Sequence, residues 1–290
     1  SRGYLWCGTQ GGGLSRFDGL DFETFTVENG LPSNFINTLF EDSEGILWVG
    51  TSTGACCLLG NRFYPVDPKV SDAPAVNAIC EKTKGRIWLG TERGIVEFDK
   101  SKKRPSKITL PAMPEQTAIL AFWTEKQNLW IGTNRGIWVT GQQNRRILSR
   151  DGLAGDNITA FATDRLGHLW ATNWTNGLSI LDPVQGRVIH AITSPNVERA
   201  LCLYAAVDGR IWVGTQDKGI QIYNPADSSW TEISEKQGLP HNHIRAIRSD
   251  NAGNVWVATS GGGMVKFLTQ SFIHYSKENG LLGNRVYAVA

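Results

Sequence analysis

The stretch LWVGTSTG, residues 47–54, is typical of a half-buried strand followed by a turn. Its tryptophan recurs with similar neighbours at seven positions in the 290-residue chain: Trp6, Trp48, Trp88, Trp130, Trp170, Trp212 and Trp256. Successive tryptophans lie 40 to 44 residues apart. A period of this size indicates a repeat protein, and one such architecture is the propeller with blades of four strands.

The composition of each repeat favours β-structure, because short alternating or β-branched runs are separated by turn residues and no long helical periodicity occurs. The second repeat predicts four strands, named a to d, over 35–40, 46–51, 55–59 and 62–66. Pro65 in strand d fits an edge strand, where its missing N–H matters least. Such small sheets must pack face to face, so we expect the repeated tryptophan to fill the space between blades.

The two ends of the chain carry different strands of one repeat. Residues 284–290 match strand a and then stop, whereas the chain begins with a turn and strand b. We therefore predict that residues 285–290 pair beside residues 4–9 and close the ring. The predicted fold is all-β: a single seven-bladed β-propeller domain over 1–290, made of four-stranded antiparallel blades, with one blade split between 1–27 and 285–290.

Composition and charge argue against several classes of protein. The net charge is +2 and the basic residues are scattered, which argues against a nucleic-acid partner. No apolar run approaches the roughly 18 residues of a membrane span, and the first residues lack the pattern of a signal peptide. The five cysteines form no CxxC pair, so we expect buried thiols and neither a disulfide framework nor a zinc site. No cofactor or metal is expected.

Residues 29–55, NGLPSNFINTLFEDSEGILWVGTSTGA, and their echoes at 151–178 and 237–263 resemble the two-component regulator propeller repeat. This family forms the sensor region of bacterial histidine kinases and hybrid two-component regulators. The resemblance implies a periplasmic or otherwise extracytoplasmic sensor domain, whose parent protein is membrane-anchored and dimeric. It implies a small-molecule or carbohydrate ligand, or a protein partner, with no membrane insertion by the domain itself. The repeat encodes the scaffold and carries no ligand signature.

In a four-strand meander, the b-to-c turns and d-to-a connections lie at one end of the blade. These segments differ between repeats, so we expect function at that end. The a-to-b turns, such as EDSEG at 41–45, are nearly uniform, and turn chemistry alone accounts for them.

Aligned strands a share a mostly small position: Thr38, Ala78, Ala121, Ala160, Leu203, Ala246 and Ala288. The preceding position varies: Asn37, Asn77, Leu120, Thr159, Cys202, Arg245 and Tyr287. Just before the strand come Asn34, Asp156, Arg199, Asn242 and Asn284, of which the Asn and Asp side chains are expected to cap the approach loop. The candidate ligand-binding residues are Asn37, Asn77, Arg199, Arg245, Tyr287, Trp174, His241 and His243.

Two alternative functions stay open: a streptogramin-lyase-like enzyme and a protein-interaction platform. Streptogramin lyases are propellers of similar length, but they need a histidine with acidic partners, and no glutamate stands at an aligned strand-a position. His241 and His243 resemble half a metal site that nothing nearby completes. A protein-interaction platform would use the same face. We favour a non-catalytic sensor and predict no catalytic residues.

Overall fold

The computed structural model describes all residues except 1–2, 67–72, 103, 109, 111–112, 126–127, 142–143, 176 and 269–271. By their internal contacts, the residues form two compact units. Unit 1 comprises 1–119 with 248–290, and unit 2 comprises 120–247.

Each sheet has four antiparallel strands. Sheet I contains β28 (Val286–Val289), β1 (Leu5–Thr9), β2 (Leu14–Phe17) and β3 (Phe22–Phe25). Sheet II contains β4 (Ile36–Glu41), β5 (Leu47–Thr51), β6 (Gly54–Leu59) and β7 (Arg62–Pro65). Sheet III contains β8 (Val76–Thr83), β9 (Arg86–Thr91), β10 (Gly94–Asp99) and β11 (Arg104–Ile108).

The remaining sheets repeat this order. Sheet IV contains β12 (Ile119–Glu125), β13 (Asn128–Thr133), β14 (Gly136–Thr140) and β15 (Arg145–Ile147). Sheet V contains β16 (Ile158–Thr163), β17 (Leu169–Asn173), β18 (Gly177–Asp182) and β19 (Arg187–Thr193). Sheet VI contains β20 (Ala200–Ala205), β21 (Ile211–Thr215), β22 (Ile220–Asn224) and β23 (Ser229–Ile233). Sheet VII contains β24 (Ile244–Ser249), β25 (Val255–Thr259), β26 (Met264–Phe267) and β27 (Phe272–Tyr275).

Seven such sheets make the fold a seven-bladed β-propeller, and the predicted fold class is confirmed. Among the described residues the only helical segments are 3₁₀ turns: Val27–Asn29, Ser149–Asp151, Pro195–Val197, Glu235–Gln237 and Lys277–Asn279. None of the helical segments described is long and apolar enough to cross a bilayer. Strands a to d of the second repeat match β4 to β7 within one residue, and Pro65 lies on the edge strand β7.

The C-terminal strand completes the N-terminal sheet, as predicted. Cys7 pairs with Val289, and Gly8 pairs with Ala288. The backbone N–H of Trp6 donates to the Ala290 carbonyl at 2.8 Å, and the Ala290 N–H donates back at 3.0 Å. Strand β1 is therefore not a bare sheet edge.

The motif tryptophan packs between neighbouring sheets, also as predicted. In unit 1, Trp48 is 1% exposed and lies in one apolar cluster with Ile87 and Leu89 of sheet III. In unit 2, Trp170 lies with Ile211 and Val213 of sheet VI. Burying a ring of this size between sheets is the main apolar contribution that joins them.

The a-to-b turn does more than turn the chain, so the explanation from turn chemistry alone was wrong. Asp42 Oδ1 accepts the backbone N–H of Glu44 and Ile46 at 3.0 Å, which forms the turn. Its Oδ2 accepts the indole N–H of Trp48 at 2.8 Å. The same indole bond joins Trp170 to Asp164 and Trp256 to Asp250. The turn carboxylate thus satisfies the one polar atom of the buried tryptophan.

The glycine of the motif leaves room for the next sheet. A Cβ on Gly50 would lie 2.6 Å from Thr38 Cγ2 and 3.0 Å from the Val76 carbonyl oxygen. Thr38 pairs with Gly50, and Val76 begins β8 of the next sheet. A side chain at this point would push the sheets apart, which explains the Gly of the repeated LWVGT.

The sequence alignment of sheet VI was wrong by one residue. Cys202 pairs with Gly214, as Thr38 pairs with Gly50 and Ala78 with Gly90. Cys202 therefore occupies the small position assigned to Leu203, and Leu201 occupies the preceding one. Of the cysteines, Cys7, Cys56, Cys80 and Cys202 are buried, and burial raises the pKa of the first three thiols.

Candidate functional site

The b-to-c turns and d-to-a connections lie together, as expected. In unit 1, the backbone N–H of Gly13 donates to the Asn34 carbonyl at 2.9 Å. In unit 2, Gly219 N–H donates to the Asn242 carbonyl at 3.0 Å. These bonds fix the turn of one repeat against the connection that leads into the next strand a.

The connecting loops are built by a capped 3₁₀ turn, which confirms the capping role predicted for four residues. The Oδ1 atoms of Asn34 and Asn242 accept the N–H of the first 3₁₀ residue at 2.9 and 2.8 Å. Asp156 and Asn284 make the same bond. The glycines that end these turns, Gly30, Gly152, Gly238 and Gly280, have φ between +94° and +104°, which explains the recurrent Gly-Leu.

Three candidate residues, Asn37, Asn77 and Tyr287, belong to unit 1. Each lies at the register shift near the start of strand a, where the ladder skips one residue. A bulged residue is released from the ladder, which explains why no packing rule fixes its type. The Asn37 amide donates to the Val76 carbonyl at 3.3 Å and so contacts the next sheet.

The other five candidates, Trp174, Arg199, His241, His243 and Arg245, belong to unit 2. A backbone ladder links the loops that carry the first two: Trp174 N–H donates to the Asn157 carbonyl at 2.8 Å, and Arg199 N–H donates to the Trp174 carbonyl at 2.9 Å. Gln216 N–H continues it to the Arg199 carbonyl at 3.0 Å. We call Asn157, Trp174, Arg199, Gln216 and His243 the rim cluster.

Arg199 does not occupy the position of Asn34, so that alignment was also wrong. Its carbonyl accepts the N–H of Gln216, as the Phe35 carbonyl accepts that of Ser52. Arg199 is thus the equivalent of Phe35, one residue later. Its φ of +53° is uncommon for a non-glycine residue, and its guanidinium lies 3.4 Å from the Asp217 carboxylate.

The environment of His243 perturbs its titration. Burial, followed by the positive charge of Arg245 and the neighbouring His241, lowers its pKa from 6.5 to about 4. Asp217 acts in the opposite direction. The His243 imidazole is therefore neutral at pH 7. Its backbone N–H donates to His241 Nδ1 at 2.9 Å.

Three side-chain atoms of the rim cluster lack hydrogen bonds. Asn157 Oδ1, Gln216 Oε1 and His243 Nε2 are buried and have no partner in the part of the chain that is described. Trp174, whose backbone bonds to Asn157 and Arg199, is 37% exposed. Native proteins leave few buried polar atoms unpaired, so three on one rim require an explanation.

Sequence reasoning found Trp174, Arg199 and His243 but missed Asn157 and Gln216. A signal for Asn157 was available in the sequence. Asn157, Arg199 and His243 each lie directly before strand a in successive repeats. As for metals, no group of three or more His, Cys, Asp or Glu residues among those described is placed to hold one.

Comparison with known proteins finds a matching repeat model and solved structures of the same fold. The model of the two component regulator propeller family matches residues 30–53 and 238–261. No curated protein matches the chain.

Solved structures share the fold at low identity. The extracellular domain of a hybrid two component system from B. thetaiotaomicron is 17% identical, with a TM-score of 0.54 over 97% of this chain and 56% of that one. A second extracellular domain from that organism is 22% identical, with a TM-score of 0.52 over 94% and 40% of the two chains. A streptogramin B lyase is 18% identical, with a TM-score of 0.70 over 89% and 88%.

The chain spans about half the length of the two extracellular domains, 56% and 40%. At these identities the solved structures establish the fold alone. The family model matches the segments that carried the resemblance in the sequence. The chain is a seven-bladed propeller, and two of its segments, 30–53 and 238–261, match the model of the two-component regulator propeller.

Proposed function

We propose that the chain is the non-catalytic sensor propeller of a two-component signalling protein and that it binds a small molecule at the rim cluster of unit 2. The observation that carries this proposal is a set of three buried polar atoms, on Asn157, Gln216 and His243, that find no partner among the described residues. The repeats of a sensor family and the folds of extracellular sensor domains support the assignment, and with it an extracytoplasmic location.

The energetics favour a ligand. Each buried polar atom without a hydrogen bond destabilises the protein by about 1–3 kcal/mol. The three side chains are only partly buried, so rotation about their side-chain bonds can turn the polar atoms outward. A ligand that donates hydrogen bonds to the two amide oxygens and forms one with the His243 Nε2 atom would recover this free energy on binding.

The surroundings indicate a polar molecule with a flat or ring-shaped face. The Trp174 ring is exposed enough to stack on such a face. The neutral His243 imidazole and the amides of Asn157 and Gln216 offer hydrogen bonds without net charge, while Asp217 already offsets Arg199. A carbohydrate fragment or an uncharged metabolite fits this chemistry.

The test is thermal unfolding of the purified chain against oligosaccharides, metabolites and a streptogramin B. A ligand at 100 times its Kd should stabilise the fold by about 2.7 kcal/mol, which is visible as a higher Tm. Gln216→Leu and Trp174→Ala should abolish the shift. Glu92→Leu is the matched control, because Glu92 is exposed, follows the motif threonine in the b-to-c turn of sheet III in unit 1, and should leave the shift intact. Equal loss in all three variants would contradict the proposed site.

The same experiment distinguishes an enzyme. His243 is neutral and its Nε2 atom is unpaired among the described residues, so it can accept a proton, and its pKa of about 4 makes it a weak base at pH 7. The streptogramin is therefore also incubated with the chain and followed by mass spectrometry. Consumption that His243→Gln abolishes would replace the sensor proposal with a lyase. The absence of any shift would favour a protein partner on the same face.

A further inference from the structure

A separate cavity of about 470 Å³ lies within unit 1. Its walls are the b-to-c turns of sheets I and VII and the connection that leads to β28. The residues that matter here are Gln10, Gly11, Gly12, Gly261, Lys277 and Arg285. None of them belongs to the rim cluster.

Glycine opens this cavity. Residues 9–13, Thr-Gln-Gly-Gly-Gly, have the same length as residues 215–219 of unit 2, Thr-Gln-Asp-Lys-Gly. Gly11 and Gly12 therefore stand where unit 2 has Asp217 and Lys218. Gly11 and Gly261 have φ of +99° and +138°, and neither contributes a side chain to the space.

The charge of the lining is positive. Lys277 and Arg285 are the only charged residues around the cavity, and within the described ranges neither has a carboxylate within 4 Å. In unit 2 the cations Arg199 and Lys218 differ, since each contacts a carboxylate. An anion in the cavity would supply the counter-charge that neither cation has among the described residues.

Backbone hydrogen bonds place both residues on the cavity wall. Lys277 N–H donates to Asn284 Oδ1 at 2.9 Å, so the lysine is fixed to the connection that forms the cavity wall. The Arg285 carbonyl accepts the N–H of Gln10 at 2.8 Å, which fixes the arginine against the glycine-rich turn. Because Asn284 Oδ1 is used as an acceptor, its amide N–H₂ remains as a donor.

We propose that this cavity binds an oxyanion: a small molecule that carries a carboxylate, phosphate or sulfate group. Arg285 supplies a planar set of N–H donors that matches such groups, and Lys277 supplies a point charge. The N–H groups of Gln10, Gly11 and Gly261 already donate to backbone carbonyls, so the anion would be held by side chains, and the glycines keep the space beside those side chains open. The volume lies within the range of small-molecule sites and exceeds that of a single phosphate.

The experiment is isothermal titration of the full chain with inorganic phosphate, sulfate and citrate, at constant ionic strength set with chloride. Saturable binding of at least one probe is expected, and the probe that binds identifies the tetrahedral or the carboxylate class. Lys277→Gln and Arg285→Gln should each raise Kd about tenfold or more, because each removes a charge-assisted hydrogen bond. Lys236→Gln, an exposed lysine of another 3₁₀ turn, is the matched control and should leave Kd unchanged.

Two further variants complete the design. Gly11→Asp puts a carboxylate on the cavity wall and should abolish binding, and aspartate tolerates the positive φ better than most residues. Trp174→Ala should leave anion binding intact, so this site can fail or succeed independently of the rim cluster. No binding by any of the three probes, or an equal loss in Lys236→Gln, would overturn the proposal.

Discussion

The b-to-c turns of sheet I in unit 1 and sheet VI in unit 2 share one frame, a threonine bonded to a closing glycine, and differ in the residues between these two. In unit 1, Thr9 Oγ1 donates to the Gly13 carbonyl at 2.8 Å. In unit 2, Thr215 Oγ1 donates to the Gly219 carbonyl at 2.9 Å. Between the threonine and the glycine, unit 1 has Gln-Gly-Gly and unit 2 has Gln-Asp-Lys. The result is a cationic cavity in one unit and a surface covered by paired charges in the other.

In this chain, different residues determine the scaffold and the candidate sites. The threonine, the closing glycine and the bond to the next connection recur, whereas the residues between them change. A family model built on the repeat therefore reports the frame and carries no information about the ligand.

The largest effect should come from removing residues 285–290. These residues include β28. The Arg285 carbonyl also accepts the backbone N–H of Gln10, which holds the b-to-c turn of sheet I in place. Without them, β1 becomes a bare edge that can pair with other chains. We expect aggregation or a sharply lower Tm, measured by size-exclusion chromatography and thermal unfolding. An unchanged melt would show that unit 1 does not depend on the split sheet.

The next effect tests whether the frame is equally rigid in both units. A Cβ on Gly13 or Gly219 would clash with a backbone carbonyl oxygen, of Phe25 or Ile233, at positive φ. Gly13→Ala and Gly219→Ala should each destabilise the fold by about 3 kcal/mol. Gly209→Ala is the control, because its φ is +89° but nothing lies within 4 Å, and it should lose only about 1 kcal/mol. Denaturant unfolding measures all three, and a small effect in one unit only would break the comparison.

The frame was largely predictable because it repeats. The spacing of Trp48 and its equivalents, the turn glycines and the matching chain ends are local or periodic signals, and they predicted strands, blade number and the pairing of β28. Counting a period fails where one repeat changes length. The connection before Arg199 uses a 3₁₀ turn that ends at Glu198 instead of at a left-handed glycine, which shifts the alignment of Cys202 by one residue.

The sites were less predictable because they depend on what is left unpaired. The sequence places Trp174 and His243 on the variable face, but it does not show that Asn157 and Gln216 have polar atoms with no partner in the described part of the chain. The unit 1 cavity was missed for a similar reason. Gly11 and Gly261 looked like turn residues, and only the fold shows that they leave a space beside Lys277 and Arg285.

A smaller effect concerns pH and unit 2. The His243 pKa is about 4 in the folded chain, below its usual 6.5, so between these values the unfolded chain binds more protons. Stability should therefore fall as pH drops from 6.5 towards 4. Arg245 and His241 strengthen this effect, and Asp217 weakens it. His243→Gln should flatten the dependence of Tm on pH in this window.

The control for that measurement is His190→Gln, which removes an exposed histidine from the outer strand β19. It should leave the slope of Tm against pH as in the original chain. If both variants flatten the slope equally, burial of His243 is not the cause.

The smallest effect on stability should come from Trp174, and it sharpens the distinction between frame and site. Trp170 is 2% exposed and packs between sheets V and VI, so Trp170→Ala should destabilise unit 2 by about 3–5 kcal/mol. Trp174 is 37% exposed, and its backbone bonds do not depend on its side chain. Trp174→Ala should therefore change the free energy of unfolding by no more than about 0.5 kcal/mol while it abolishes binding at the rim cluster. A large loss of stability would mean that the ring belongs to the scaffold, and the rim would then lack its stacking surface.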